Sequence, residues 1–232
     1  LITSEATMNP IIAVNQVSVS MGDYLYGRAV IELVRLGDLG PLRSLGRVTN
    51  EMTVGEMRQL LAHDRLAFSE EQYDLLIMAK TASLLSGACE TGAIRAPAEQ
   101  RQAMREFGLR LGMAFQIVDD LLDYTGDATI TGKPVGADLR EHKVTLPLIY
   151  ALPRLSARQR REVSALMDTE TPTDAQIAAV VEAVTETGGL DYARERAASL
   201  STGAEAALEV LAPSPAREAL RASIPFVLDR RS

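Results

Sequence analysis

Apolar residues recur every three to four positions along most of this chain, the spacing that keeps one face of an α-helix against a core. One such segment runs from about Pro10 to Leu36 and closes at Gly37 and Gly40, and a second runs from about Leu42 to His63. A third opens at Ser69, where Gln72 completes a capping box, and continues through Lys80 and Leu85 towards Thr91 and Gly92. Pro97 predicts the first turn of the next helix, because a missing N–H costs nothing there. That helix bears an apolar stripe of Phe107, Leu111, Phe115 and Val118, followed by the run Asp119-Asp120-Leu121-Leu122-Asp123. A loop rich in Gly and Thr extends from Thr125 to Gly136, and a further helix begins near Ala137. Beyond it, Ser156 to Leu166, Thr173 to Thr187 and Gly189 to Leu211 read as helices separated by Gly or Pro.

No stretch alternates with the period of two that a half-buried strand needs, so the predicted fold is all-α. Composition agrees, since Ala and Leu dominate the 47% of hydrophobic residues, aromatics make up 4% and Trp is absent. A chain of 232 residues can bury one sizeable core, and residues 1–232 read as a single all-α domain. The net charge of −7 argues against a nucleic-acid partner, which would call for a basic face. The single cysteine, Cys89, excludes an internal disulfide framework and fits a reducing, cytoplasmic compartment, where it would act as a small apolar side chain. No apolar run is long enough to span a bilayer, and no signal peptide is recognised.

The chemistry concentrates at Asp119, Asp120 and Asp123. Asp119 and Asp123 lie one helical turn apart on one face, where like charges repel unless a cation or an arginine answers them. Hard oxygen ligands that leave positions open suit magnesium, which keeps water and shares phosphate oxygens. An acidic triplet on a solvated helix face is also a common surface feature, so the triplet alone decides nothing. Around it stand Lys80-Thr81 upstream, then Gly132-Lys133-Pro134-Val135-Gly136-Ala137-Asp138-Leu139 and Lys143-Val144-Thr145-Leu146-Pro147 downstream. Lysines and metal ions around one cavity can hold a diphosphate and neutralise it as it leaves.

These segments carry a resemblance. Residues 112–124, from Gly112 through the aspartates to Tyr124, resemble the second aspartate-rich motif of the trans-prenyl diphosphate synthases. The segments beginning at Gly132 and Lys143 are similar to those downstream of that motif in the family. Lys80-Thr81 resembles its KTA segment, Gly22-Asp23-Tyr24-Leu25 its GDYL helix, and Phe226 to Arg230 its ending. The wording around Lys80 and Asp119 is closest to the long-chain polyprenyl synthases. The resemblance implies an isoprenoid-synthase-type helical bundle around a central substrate cavity, and extension of an allylic diphosphate by isopentenyl diphosphate. In that reading Asp119 and Asp123 coordinate Mg2+, with Asp120 close by. Lys80, Lys133 and Lys143 supply positive charge to the diphosphate, Thr81 and Gln116 position substrate, and Phe115 packs near the isoprenoid. A homodimer is implied too, with the helix around Val30 to Leu36 as an interface, and a long-chain product would favour association with a membrane surface.

One departure matters. The family carries a first aspartate-rich motif and paired arginines upstream of its GDYL segment, whereas Leu1 to Met21 contain no DDxxD and no Arg. The resemblance therefore predicts either an N-terminal portion or loop missing from this sequence, or a non-catalytic, regulatory subunit of a heteromeric synthase. A class I terpene cyclase would need a second metal motif of Asn, Ser and Glu, which is not found. Among smaller signals, Asp138 reads as a helix cap, His63 and His142 as too isolated to form a site, and His142 as solvent-exposed in preference to touching phosphate beside Lys143. Asp23 and Tyr24 read as packing anchors, Arg230 and Arg231 as a frayed terminus, and Met52, Met57, Met78, Met104 and Met113 as core filler.

Overall fold

A computed structural model describes residues 10–61, 66–125 and 135–229. Among them no strand occurs and the chain is helical, as the periodicity predicts. The chain divides into two compact units, with the boundary between Gly46 and Arg47. The first contains α1 (Pro10–Arg35) and the opening turns of α2 (Leu39–Leu61). On α1, Arg28 and Arg35 both reach Glu32, at 3.4 and 2.8 Å. The helix also exposes Val17, Met21, Leu25, Ile31 and Val34. Tyr24, expected to anchor packing, is 60% exposed.

In the second unit Ser69 caps α3 (Glu70–Ile77) with the capping box expected of Ser69 and Gln72. The helix expected to continue unbroken to Gly92 is instead interrupted by a π turn, Met78–Ala82, before α4 (Ser83–Gly92). π turns widen the backbone and often mark functional sites, and this one carries Lys80 and Thr81. α5 (Ala98–Thr125) packs along α4 and crosses the π turn at Gly112, where a Cβ would stand 2.6 Å from Ala82 Cα. Only a residue without a side chain permits that approach. The Pro97 carbonyl accepts from the Arg101 amide at 3.0 Å, so Pro97 stands one residue ahead of the first turn, within the usual ambiguity of helix ends.

The remaining elements are α6 (Ala137–Arg140), α7 (Leu146–Ala151), α8 (Ala157–Met167), α9 (Asp174–Glu186), α10 (Gly189–Ala207) and α11 (Pro215–Leu228). Capping boxes at Ser156 and Thr173 start α8 and α9. The periodicity reading did not resolve α7 or α11. α7 is only six residues long, too short for a repeat to show, and Pro215 and Pro225 lie at the start and inside of α11.

Two apolar clusters hold this unit together. The larger joins Tyr73 and Ile77 of α3 to Ile117, Leu121 and Tyr124 of α5, and continues through α7, α8 and α9. The smaller gathers Phe107, Leu111, Leu208, Ile224 and Val227, with Cys89 and Met104 against them. Cys89 thus packs as an apolar residue, and burial pushes its thiol pKa up. Met104 and Met113 pack against the clusters, but Met57 is 57% exposed and is not core filler.

Candidate active site

α5 turns its acidic end towards a cavity of about 670 Å3. The lining includes Lys80 and Thr81 from the π turn, Gln116, Asp119 and Asp120 from α5, and Asp138 and Lys143 from the far side of the glycine-rich loop. Residues expected from sequence to share a site, separated by up to sixty-odd positions along the chain, therefore meet around one space. Lys133 lies outside the described residues, as do His63, Arg230 and Arg231.

The three aspartates occupy different environments. Asp119 is exposed at the cavity wall. Asp120 is only 5% exposed, accepting from the Tyr73 hydroxyl at 2.6 Å and from the Gln116 amide at 2.9 Å. The Thr81 hydroxyl in turn donates to Gln116 Oε1 at 2.8 Å, so a chain of hydrogen bonds runs from α3 through α5 to the π turn. Burial lifts the Asp120 pKa to about 7 against the lowering effect of the Tyr73 and Gln116 bonds, and the charges of Asp138 and Asp119 raise it further.

Asp123 does not line the cavity. Its carboxylate accepts from the amides of Ala137 and Asp138 at 2.9 and 3.1 Å, and its carbonyl takes the Gly136 amide at 2.8 Å. It thereby ties the end of α5 to the start of α6. Burial, then the Asp138 charge, pushes its pKa to about 6, against those amide bonds and Lys143. The capping role expected of Asp138 belongs to Asp123. Asp138 lies in the first turn of α6 and pairs with Lys143 at 3.0 Å, while Lys143 also reaches Glu141 at 2.7 Å. Burial acts to lower the Lys143 pKa, but these two bonds outweigh it and raise the value.

Two other expectations are revised. Phe115 packs partly buried against the smaller apolar cluster and is not part of the cavity lining. Its place on the stripe with Phe107 and Leu111 puts it on the opposite side of α5 from Asp120. His142 is half-buried rather than solvent-exposed, with Nε2 2.8 Å from the Thr169 carbonyl, and it lines the cavity with Glu141. Tyr73, Glu56 and Gln59 join the lining unannounced by any motif read in the sequence. For Tyr73 a signal existed in its place seven residues, or two helical turns, before Lys80.

The donor set fits a hard divalent cation. Among the described residues no group of three His, Cys, Asp or Glu converges closely enough to hold a metal ion unaided, so a cation would draw further ligands from water and phosphate, as magnesium does. The donors are hard carboxylate oxygens, and Asp138 bears on both Asp120 and Asp123 with a repulsion that a divalent cation would relieve. Among the described residues no helix is long and apolar enough to cross a membrane.

Comparison with known proteins agrees with this geometry. The chain is 38% identical over 229 residues to an all-trans-nonaprenyl-diphosphate synthase (geranyl-diphosphate specific) of Rhodobacter capsulatus, covering 98% of this chain and 68% of that protein. It is 36% identical over 208 residues to the octaprenyl diphosphate synthase of Escherichia coli K12, covering 89% of this chain and 64% of that one. Its structure resembles that of a polyprenyl synthase from Caulobacter crescentus CB15 complexed with calcium and isoprenyl diphosphate. The TM-score is 0.89 and the identity 35%, over 96% of this chain and 68% of the other. The chain thus spans about two-thirds of the length of these relatives. With the profile of the family described as polyprenyl synthetase matching residues 5–184, the chain belongs to the polyprenyl synthetase family.

Proposed function

We propose that this chain is a trans-prenyl diphosphate synthase that condenses isopentenyl diphosphate with an allylic diphosphate to give a long-chain, all-trans polyprenyl diphosphate. The observation that carries this reading is the cavity, where Lys80 and Lys143 stand with Asp119, Asp120 and Asp138 around one space. Magnesium would be held at the cavity wall by the carboxylate of Asp119 with Asp138 beside it, and when bound it would supply charge that stabilises diphosphate as a leaving group. Asp119 is the exposed member able to meet substrate directly. Asp120 and Asp123 act from behind, one holding Gln116 and the other holding the turn that presents Asp138 and Lys143.

Lys80 and Lys143, with Lys133 as a third cation, bind the diphosphate oxygens and stabilise them as the C–O bond breaks. Thr81 and Gln116, locked to each other and to Asp120, orient that group. Phe68, Leu76, Ile77 and Val144 form the apolar part of the lining and keep water from the allylic cation. The double bond of isopentenyl diphosphate attacks this cation, and a proton is then lost to the departing diphosphate. Phe115 supports the wall from the core side. The working form is proposed as a cytoplasmic homodimer that meets membranes through its long-chain product, and the apolar surface of α1 supports the dimer.

The test is incorporation of labelled isopentenyl diphosphate onto geranyl and farnesyl diphosphate primers by the purified protein. Magnesium-dependent elongation, abolished by chelator and lowered about a hundredfold or more in Asp119→Ala, is the expected result, with chromatography giving the chain length. No incorporation with any allylic primer at saturating magnesium would sink the reading.

A further inference from the structure

α2 approaches the π turn very closely at Gly55. A Cβ there would lie 2.9 Å from Ala79 Cβ and 3.4 Å from the Lys80 backbone nitrogen, so the helix can come this near only because position 55 has no side chain. The consequence falls on the neighbouring residues. Glu56 Oε2 is 2.7 Å from Lys80 Nζ, and Nζ donates to Gln59 Oε1 at 2.9 Å. Glu56, Gln59 and Lys80 all line the cavity. An ammonium group has three donors, and two of those on Lys80 are already engaged by α2.

We propose that Glu56 is an affinity-setting residue of the diphosphate site, a counter-ion that an incoming diphosphate must displace from Lys80 and that recaptures Lys80 as the diphosphate leaves. This rests on the reading that Lys80 binds diphosphate. The pair is built to be exchangeable. Its side chains are 44% and 50% exposed, and ion pairs at such exposure are weak. A diphosphate carries more charge than one carboxylate and wins the lysine, but its net gain is reduced by the pair it breaks. In a reaction that releases inorganic pyrophosphate at every elongation, a residue that shortens its stay on Lys80 favours turnover. Gln59 keeps the ammonium oriented without adding charge.

The experiment is titration of inorganic pyrophosphate with magnesium into the wild-type protein and into Glu56→Gln, Lys80→Ala and the double variant, followed calorimetrically. Glu56→Gln is expected to tighten pyrophosphate about two- to five-fold. The gain should vanish when Lys80 is also alanine, because the effect runs through that side chain. In steady-state assays the inhibition constant of pyrophosphate should fall by the same factor. Unchanged or weaker binding in Glu56→Gln overturns the proposal, as does equal tightening in the absence of Lys80. A wild-type protein that binds no pyrophosphate overturns the diphosphate-site reading as well, whereas binding that ignores Glu56 overturns the counter-ion alone.

Discussion

The Tyr73 hydroxyl lies 2.6 Å from Asp120 Oδ2, joining α3 to the acidic motif across 47 residues of sequence. Both side chains are buried, at 2% and 5% exposure, so neither finds water as an alternative partner. With Gln116 on the other carboxylate oxygen and Thr81 on Gln116, this bond makes the acidic helix and the lysine-bearing turn one rigid wall.

Tyr73→Phe keeps the ring and removes only this donor. The variant is expected to lose about 1–3 kcal/mol of stability, the cost of leaving a buried acceptor under-satisfied. Elongation activity should fall as well, because Asp120, which holds Gln116, loses the bond that fixes it to α3. Urea unfolding of the variant beside wild type checks it, and coincident curves would mean that Asp120 is satisfied without Tyr73.

Asp120→Asn tests the electrostatic cost of that buried carboxyl. Burial raises its pKa from 3.8 to about 7, so the folded state binds the proton more tightly than the unfolded one. Its contribution to stability is therefore fully present below the unfolded pKa and is lost as pH rises through about 7. In chelator, Asp120→Asn should be more stable than wild type at pH 8, by on the order of 2–4 kcal/mol, and the gap should close towards pH 5. The Tyr73 hydroxyl can turn to accept from the new amide. Denaturation at both pH values decides it, and a gap independent of pH would show that Asp120 is not the titrating group.

Asp123→Asn leaves one acceptor oxygen where two backbone amides, of Ala137 and Asp138, are held. The expected loss is about 1 kcal/mol, as for removal of a helix cap. Asp138 and Lys143 should drift with the freed turn, so the magnesium concentration giving half-maximal activity should rise. A thermal melt and a magnesium titration of the same preparation separate the two effects.

Gly112→Ala forces a methyl group to within 2.6 Å of Ala82 Cα in the π turn. Backbone on both sides cannot yield cheaply, and the variant should lose about 3 kcal/mol. Gly46→Ala is the control, since a Cβ there meets nothing within 4 Å and should stabilise α2 by up to about 1 kcal/mol. If both variants melt with wild type, the close crossing of α5 over the π turn is wrong.

The helices from Ser69, Ser156 and Thr173 were legible because their start signals are local: a hydroxyl and a glutamine three residues apart satisfy each other's backbone groups wherever the chain lies. That Asp119, Lys80 and Lys143 face one cavity was legible from the order of their motifs and the family these resemble, rather than from the acidic triplet alone. The π turn was not, since Met78 to Ala82 have ordinary helical composition. The packing of Phe115 against the smaller apolar cluster was not legible, because an apolar stripe shows which face is buried but not whether core or cavity lies beyond it.

Helical periodicity, caps and the order of acidic and basic motifs lie in the sequence because they depend on neighbours within a few residues. The separation of three similar aspartates into an exposed acid at the cavity wall, a buried acceptor held by Tyr73 and a cap on Ala137 was decided only by tertiary structure. So was the engagement of Lys80 by Glu56, which requires α2 to approach the π turn where Gly55 has no side chain. Burial and hydrogen bonding between distant segments determine the charge and freedom of an acid or a base, and those are properties of the packed chain.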